Sequence, residues 1–198
     1  MWSRIGWNTL TCMRPQTDDD IDRISRLPAV AAPADDSAIR ALFNMVHDRG
    51  GKVLNLHRVV AHSPTAAAAL IALAHALRFS TALPRPLAEL IIIRTAQIVG
   101  SDYELAQHLP MALGCGVSQS RIDALNQWRA HALFTAPECA ALAYAEQVAG
   151  GGDVEDQVFA NLEKWFTPGE IVELTLTVAF YFATGLLLKS LMVEAESV

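Results

Sequence analysis

The sequence predicts an all-α helical bundle of about eight helices, and three observations carry that prediction. Apolar residues recur at helical spacing through most of the chain, and the β-branched residues fall inside those runs. Helix-starting residues stand before most runs, with Gly or Pro behind them. No hairpin turn of the Asn-Gly type is present.

The elements follow in order. Asp35 and Asp36 can cap a helix through Ile39, Leu42, Phe43 and Val46 that stops at Gly50-Gly51. A short helix over Val53 to Ala61 ends before Ser63-Pro64. Ser63 as N-cap with Pro64 at the first position opens a long helix, TAAAALIALAHALRF. Pro84 and Pro86 break that run and start the next, Leu87 to Val99, which Gly100 closes. Ser101 opens a helix through His108 to Leu113, ended by Gly114-Cys115-Gly116. Ser118 caps a helix to His131, and Pro137 starts one that ends at Gly150-Gly151-Gly152. Asp153 is read as the cap of Val154 to Phe166. Thr167-Pro168-Gly169-Glu170 combines a capping box with a first-position Pro, and the last helix runs to about Val193.

The chain has 198 residues, enough for one domain with an extension. Residues 1–34 are read as an N-terminal extension, mobile or docked on a neighbouring subunit, and residues 35–198 as the helical domain. Hydrophobic residues make up 52% and charged residues 18%, which excludes a disordered chain. The net charge of −6 speaks against nucleic acid and against an anionic membrane surface. Three scattered cysteines, Cys12, Cys115 and Cys139, form no disulfide scaffold and no C-x-x-C, so a reducing, cytoplasmic setting is expected. No apolar signal segment follows Met1. The apolar run from Leu174 to Leu188 spans roughly 22 Å as a helix, short of a ~30 Å hydrocarbon core. A buried or subunit-interface helix is the reading preferred for it. Because it is apolar on many sides, a homo-oligomer is expected.

The chemistry concentrates in PLAELIIIRTAQIVGSDYELAQHLPMALGCGVS. Glu104 and His108 stand four apart on one helix face, a carboxylate beside an imidazole. Such a pair transfers protons: the carboxylate fixes the tautomer and raises the basicity of the ring. Glu89, on the preceding helix, is a second carboxylate within reach of the pair. Each residue also has a plainer role open to it. Ser101-x-x-Glu104 is a capping box, His108 can be a core histidine, and Glu89 can favour the positive end of its helix. Arg94 either binds a substrate carboxylate or forms a structural ion pair. His57 and His62, five apart, do not share a helix face, so no metal site is read there. His47, His75 and His131 are read as structural, and Tyr181 and Phe182 as core or interface.

This block resembles the carboxymuconolactone decarboxylase and alkylhydroperoxidase-D (AhpD) superfamily. In the hydroperoxidase branch the pattern is Glu, eleven residues, Cys-x-x-Cys, three residues, His. The spacing is kept here, with Glu89 and His108 at its ends, and Ser101 and Glu104 stand at the two cysteine positions. The HSP of His62 to Pro64, LPRPLAELIIIR, and the YExxxH of Tyr103 to His108 resemble the cysteine-free, decarboxylase-like members. The resemblance covers roughly residues 50 to 195.

The resemblance implies an AhpD-like fold and a trimer or hexamer, with a dimer also open. It implies catalytic Glu89, Glu104 and His108, with Ser101, Arg94 and Tyr103 on the substrate, and neither metal nor cofactor. Thiol peroxidase turnover needs an activated thiol and a resolving partner, and neither Ser101 nor Glu104 supplies one. A decarboxylase or related lyase for a small carboxylated lactone or keto acid is therefore expected, with His108 as acid, Glu104 its orienter and Glu89 a relay. The alternatives are an antioxidant, peroxiredoxin-like protein by family label, and a small-molecule-binding or structural oligomer.

Overall fold

The computed structural model describes residues 25–31 and 34–196. Among them are nine α-helices and no strand. They are α1 (Ser37–Asp48), α2 (Asn55–Val60), α3 (Pro64–Phe79), α4 (Arg85–Val99), α5 (Asp102–Gly114), α6 (Gln119–Ala124), α7 (Ala136–Ala149), α8 (Asp156–Leu162) and α9 (Pro168–Leu191). A 3₁₀ segment, Leu125–Ala130, follows α6.

Helix α4 is the centre of the bundle and packs on α5, α7 and α9. Every side chain from Leu87 to Ile93 is buried, so no face of this stretch meets water. Leu90, Ile91 and Ile93 join Leu142 of α7 and Leu174 and Val178 of α9 in the main core. Each such side chain stabilises the fold by about 1.5–3 kcal/mol. Glu89 is in the same stretch, and its carboxylate can persist there only with partners. A smaller cluster, Leu42, Phe43 and Val46 of α1 with Ala67 and Ile71 of α3, lies beside the main core.

Two glycines set the approach of α4, α5 and α9. Gly100 adopts a left-handed conformation at φ +67°, which ends α4 and turns the chain into α5. Lys189 Nζ of α9 donates to the Val99 carbonyl at 2.6 Å, satisfying one of the last carbonyls of α4. Gly185 of α9 crosses that turn so closely that an added Cβ would stand 2.5 Å from Val99 Cγ1.

Most expected helix ends hold: Asp36 caps α1, Ser101 caps α5, and Thr167 caps α9. Three expectations change. The segment after Ser118 does not run as one α-helix to His131; Gln127 leaves helical geometry at φ −124°. There Leu125 and Trp128 turn into the core, and Trp128 Nε1 donates to Glu146. Helix α8 starts after Glu155 rather than after Asp153, because Gly151 and Gly152 take positive φ and Gln147 Oε1 accepts the Glu155 N–H. Helix α9 has 24 residues, so by length and composition it is long and apolar enough to cross a membrane, which the shorter apolar run is not. It nevertheless packs along α4 and α7 and buries Leu174, Val178 and Leu188.

Residues 1–24 of the expected extension lie outside the described residues. The part described is held by its own chain: Arg26 N donates to the Leu191 carbonyl at 2.7 Å and Val30 N to the Arg58 carbonyl at 3.2 Å.

Candidate active site

Helices α4 and α5 bring Glu89, Glu104 and His108 together. His108 Nδ1 lies 2.8 Å from Glu89 Oε2, and its Nε2 lies 3.3 Å from Glu104 Oε2. Ionised carboxylates only accept, so both ring nitrogens carry protons in this arrangement. Glu89 is 0% exposed, and Glu104 and His108 are each 4% exposed. The second oxygen of Glu89 accepts from Arg85 Nη2, one turn earlier on α4. The line runs Arg85–Glu89–His108–Glu104.

The ring of His108 responds to this setting. Burial opposes its charged form, but the bonds to Glu104 and Glu89 outweigh burial and raise its pKa above 6.5. Tyr181 of α9 meets the imidazole edge-on, with ring centroids 5.0 Å apart. Burial pushes the Tyr181 hydroxyl well above 10, so it stays neutral.

The same local pattern occurs three times and is used in two ways. In Thr135-x-x-Glu138 and Thr167-x-x-Glu170 the glutamate turns back and accepts the N-cap backbone N–H at 2.8 Å. In Ser101-x-x-Glu104 the serine accepts the Glu104 N–H at 3.4 Å, but the carboxylate is directed to His108 instead. The plainer reading of Glu104 as a capping partner therefore does not describe its side chain.

A cavity of about 330 Å³ opens beside this line, between the α1–α2 loop, α3, α5 and α9. Glu104 and His108 are in its wall, with Tyr103, Gln107, Phe180 and Tyr181. The wall also holds Arg78 and His75 of α3 and His57 of α2. Burial, and next the Arg78 charge, push His57 down to about 4. Its Nδ1 accepts the Leu54 N–H at 3.0 Å, which requires that nitrogen to be unprotonated.

Tyr103 lines the cavity with its ring and ties its hydroxyl to Glu196 at 3.2 Å. Burial, then the Glu196 charge, raise its pKa well above 10. Glu196 also accepts from Gln107 Nε2 at 2.5 Å and from Asn55 N at 2.6 Å.

Two expected substrate contacts are placed elsewhere. Ser101 is buried as the N-cap of α5 and is not among the cavity-lining residues. Arg94 points away from the cavity, with Nη2 2.7 Å from Glu146 and Nη1 2.9 Å from Asn126. Glu146 also accepts from Trp128 and Arg129, so Arg94 serves the α4–α7 packing. His75 was read as structural, Tyr181 as core or interface, and His57 was considered only as a metal ligand and set aside, yet all three line the cavity. Arg85 and Arg78 were missed. The four-residue step from Arg85 to Glu89 was a usable signal for the first. Arg78 had none, because its place depends on α3 packing over α5. Among the described residues, no group of three or more His, Cys, Asp or Glu side chains is arranged to hold a metal ion.

Residues 64–147 match the model of the Carboxymuconolactone decarboxylase family. That stretch of the chain is similar to the family. That stretch contains Arg85, Glu89, Glu104 and His108, the whole charged line. No protein of curated function matches the chain in sequence.

Solved structures match over most of its length. One is an alkylhydroperoxidase AhpD core, an uncharacterized peroxidase-related protein from Ralstonia eutropha JMP134. It has 22% identity and a TM-score of 0.77, covering 88% of this chain and 94% of that one. An uncharacterized peroxidase-related protein from Silicibacter sp. TM1040 has 16% identity and a TM-score of 0.76, covering 87% and 92%. The debrominase Bmp8, solved as a variant in complex with 2,3,4-tribromopyrrole, has 16% identity and a TM-score of 0.72, covering 85% and 91%. At these identities the likeness is one of fold, and the fold is AhpD-like.

Proposed function

We propose that this protein is a thiol-independent acid–base enzyme of the carboxymuconolactone decarboxylase family, a decarboxylase or related lyase for a small carboxylated lactone or keto acid. One observation carries the reading: both nitrogens of His108 are held by carboxylates at the wall of a cavity large enough for a small organic acid. That geometry supports a proton order. Glu89 holds Nδ1 and, with Arg85, fixes the ring. Glu104 and His108 both line the cavity; Glu104, on the Nε2 side, is proposed to meet substrate, with His108 supplying its proton.

In the step, the bond between carbon and the departing carboxylate breaks and releases carbon dioxide. The electron pair stays on carbon as a carbanion or enolate. His108 Nε2 passes its proton through the Glu104 carboxylate to that carbon, and solvent returns a proton to the ring. Substrate anion and one proton thus become carbon dioxide and the protonated product. This order makes Glu104 the group that hands the proton over and His108 its supply, whereas the order expected from sequence had Glu104 only orient the ring.

The test is a panel of carboxylated lactones and β-keto acids in deuterated water, following carbon dioxide release and deuterium at the new C–H. His108→Ala and Glu104→Gln should each lose about 10²-fold or more in turnover, the usual scale for a general acid or base. Full turnover by both variants, or product without solvent deuterium, would overturn the reading.

A further inference from the structure

We infer that Arg78 is the specificity-determining anchor of the cavity, holding a carboxylate head that survives turnover while the Glu89–His108–Glu104 line acts on the other end of the molecule. This rests on the acid–base reading for the second half only; the anchor itself stands on the geometry around Arg78.

Arg78 lies near the end of α3, in the cavity wall. Its Nε donates to the Ala74 carbonyl at 3.3 Å, its Nη1 lies 3.8 Å from Met111 Sδ, and its guanidinium lies 5.1 Å from the Phe79 ring centroid. These contacts fix the plane of the fork without neutralising it. Among the described residues no carboxylate lies within ion-pair distance of Arg78, whereas Arg85, Arg94, Arg121 and Arg129 each have one. Glu104, the carboxylate in the wall, is paired with His108 rather than with Arg78. The other basic groups in the wall are Arg49 and Lys52 at the exposed rim, with His57 and His75. His57 is neutral at pH 7, its pKa being near 4. The cavity wall therefore presents a guanidinium that has no carboxylate within ion-pair distance among the described residues, in a chain of net charge −6.

The position suits a head-and-tail molecule. Met111, which Arg78 touches, lies three residues beyond His108, one turn along the same face of α5. The wall between carries Leu70, Ile71, Ala74 and Phe180. A guanidinium fork matches a planar carboxylate bidentately, and those side chains suit an apolar body. The chemistry assigns the ends. A carboxylate clamped by Arg is stabilised in its charged form, which opposes its loss as carbon dioxide. The head on Arg78 is therefore retained in the product, and the reacting carbon lies toward Glu104.

The probes are hexanoate and its neutral isostere hexanamide, titrated calorimetrically into the full chain. Hexanoate should bind at least about tenfold tighter than hexanamide, the scale of one charge-assisted hydrogen bond. Arg78→Gln should erase that preference, and Arg78→Lys should restore part of it. In the wild-type protein, the ¹⁵N resonance of Arg78 Nε should shift with hexanoate and not with hexanamide, a measurement that needs no variant to fold. Equal binding of the two probes, a preference that survives Arg78→Gln, or an unmoved Arg78 resonance would overturn the anchor. Those outcomes are independent of turnover. Loss of the preference leaves the His108 and Glu104 results standing, and full turnover by those variants leaves the anchor standing.

Discussion

Replacing Glu89 by Gln tests the charged line where it is driest. Glu89 is 0% exposed, accepts from Arg85 with one oxygen and holds His108 Nδ1 at 2.8 Å with the other. Glutamine keeps the shape but brings one acceptor and one donor. Its oxygen can stay on Arg85, which leaves its NH₂ facing Nδ1. That nitrogen must then offer a lone pair, so the ring becomes neutral with its proton on Nε2. A hydrogen bond to a charged group contributes about 1.5–3 kcal/mol, so the imidazole pKa should fall by about one to two units.

The wild-type ring, raised above 6.5, contributes stability that is complete below the unfolded value and is lost as pH rises through the folded value. In Glu89→Gln that alkaline decline should shrink. The assay is ¹⁵N NMR of the His108 ring nitrogens between pH 5.5 and 9, with thermal unfolding over the same range. Two protonated nitrogens in the variant above pH 8, or turnover equal to wild type, would refute the reasoning.

His57 should govern the acid side: its pKa of about 4 means stability present above 6.5 and lost as pH falls toward 4, by up to about 3 kcal/mol. His57→Gln should flatten the fall in Tm between those values, and an unchanged pH profile would count against it. Gly185→Ala should cost about 1–2 kcal/mol net, because a Cβ 2.5 Å from the stiff Val99 outweighs the helix-propensity gain; a higher Tm would contradict this. Changing Cys12, Cys115 and Cys139 together to Ser should leave turnover unaltered, and abolished hydroperoxide reduction would show a thiol cycle. A second copy of the chain is the proposed cover for the α9 stripe of Val172, Leu176 and Leu186, exposed by 57%, 46% and 46%. Sedimentation at micromolar concentration should then exceed 21.5 kDa, and a stable monomer would end that proposal.

Local rules made the helices legible. Capping residues and prolines sit within a few residues of the ends they set, which is why Asp36, Ser101, Gly100 and Thr167 were readable. The Ser118 and Asp153 helices were misjudged where a distant group intervenes: the core draws in Trp128, and Gln147 captures the backbone of Glu155. The same division holds at the site. Glu104 and His108 share a helix face, so their pairing follows from periodicity, and Glu89 followed from its place on the preceding helix. The arginines were harder. Arg94 pairs with Glu146, 52 residues away, and nothing near it in sequence shows that. Arg78 and His57 reach the cavity only because α2 and α3 lie over α5 and α9, an arrangement without a periodic signature.

Glu196 gives the cavity wall a gauge on the outside of the protein. Its carboxylate ties Tyr103, Gln107 and Asn55, and Asn55 Nδ2 donates to the Glu194 carbonyl at 3.0 Å. Two of those partners present their other surfaces to the cavity. A ligand that pushes on Tyr103 or Gln107 pulls on the same bonds that pin residues 194–196. An occupant of the cavity thus shares two side chains with the bonds that hold residues 194–196. If those bonds give way on binding, limited proteolysis near Glu194 should quicken when the cavity is filled, and an unchanged rate would show that they hold.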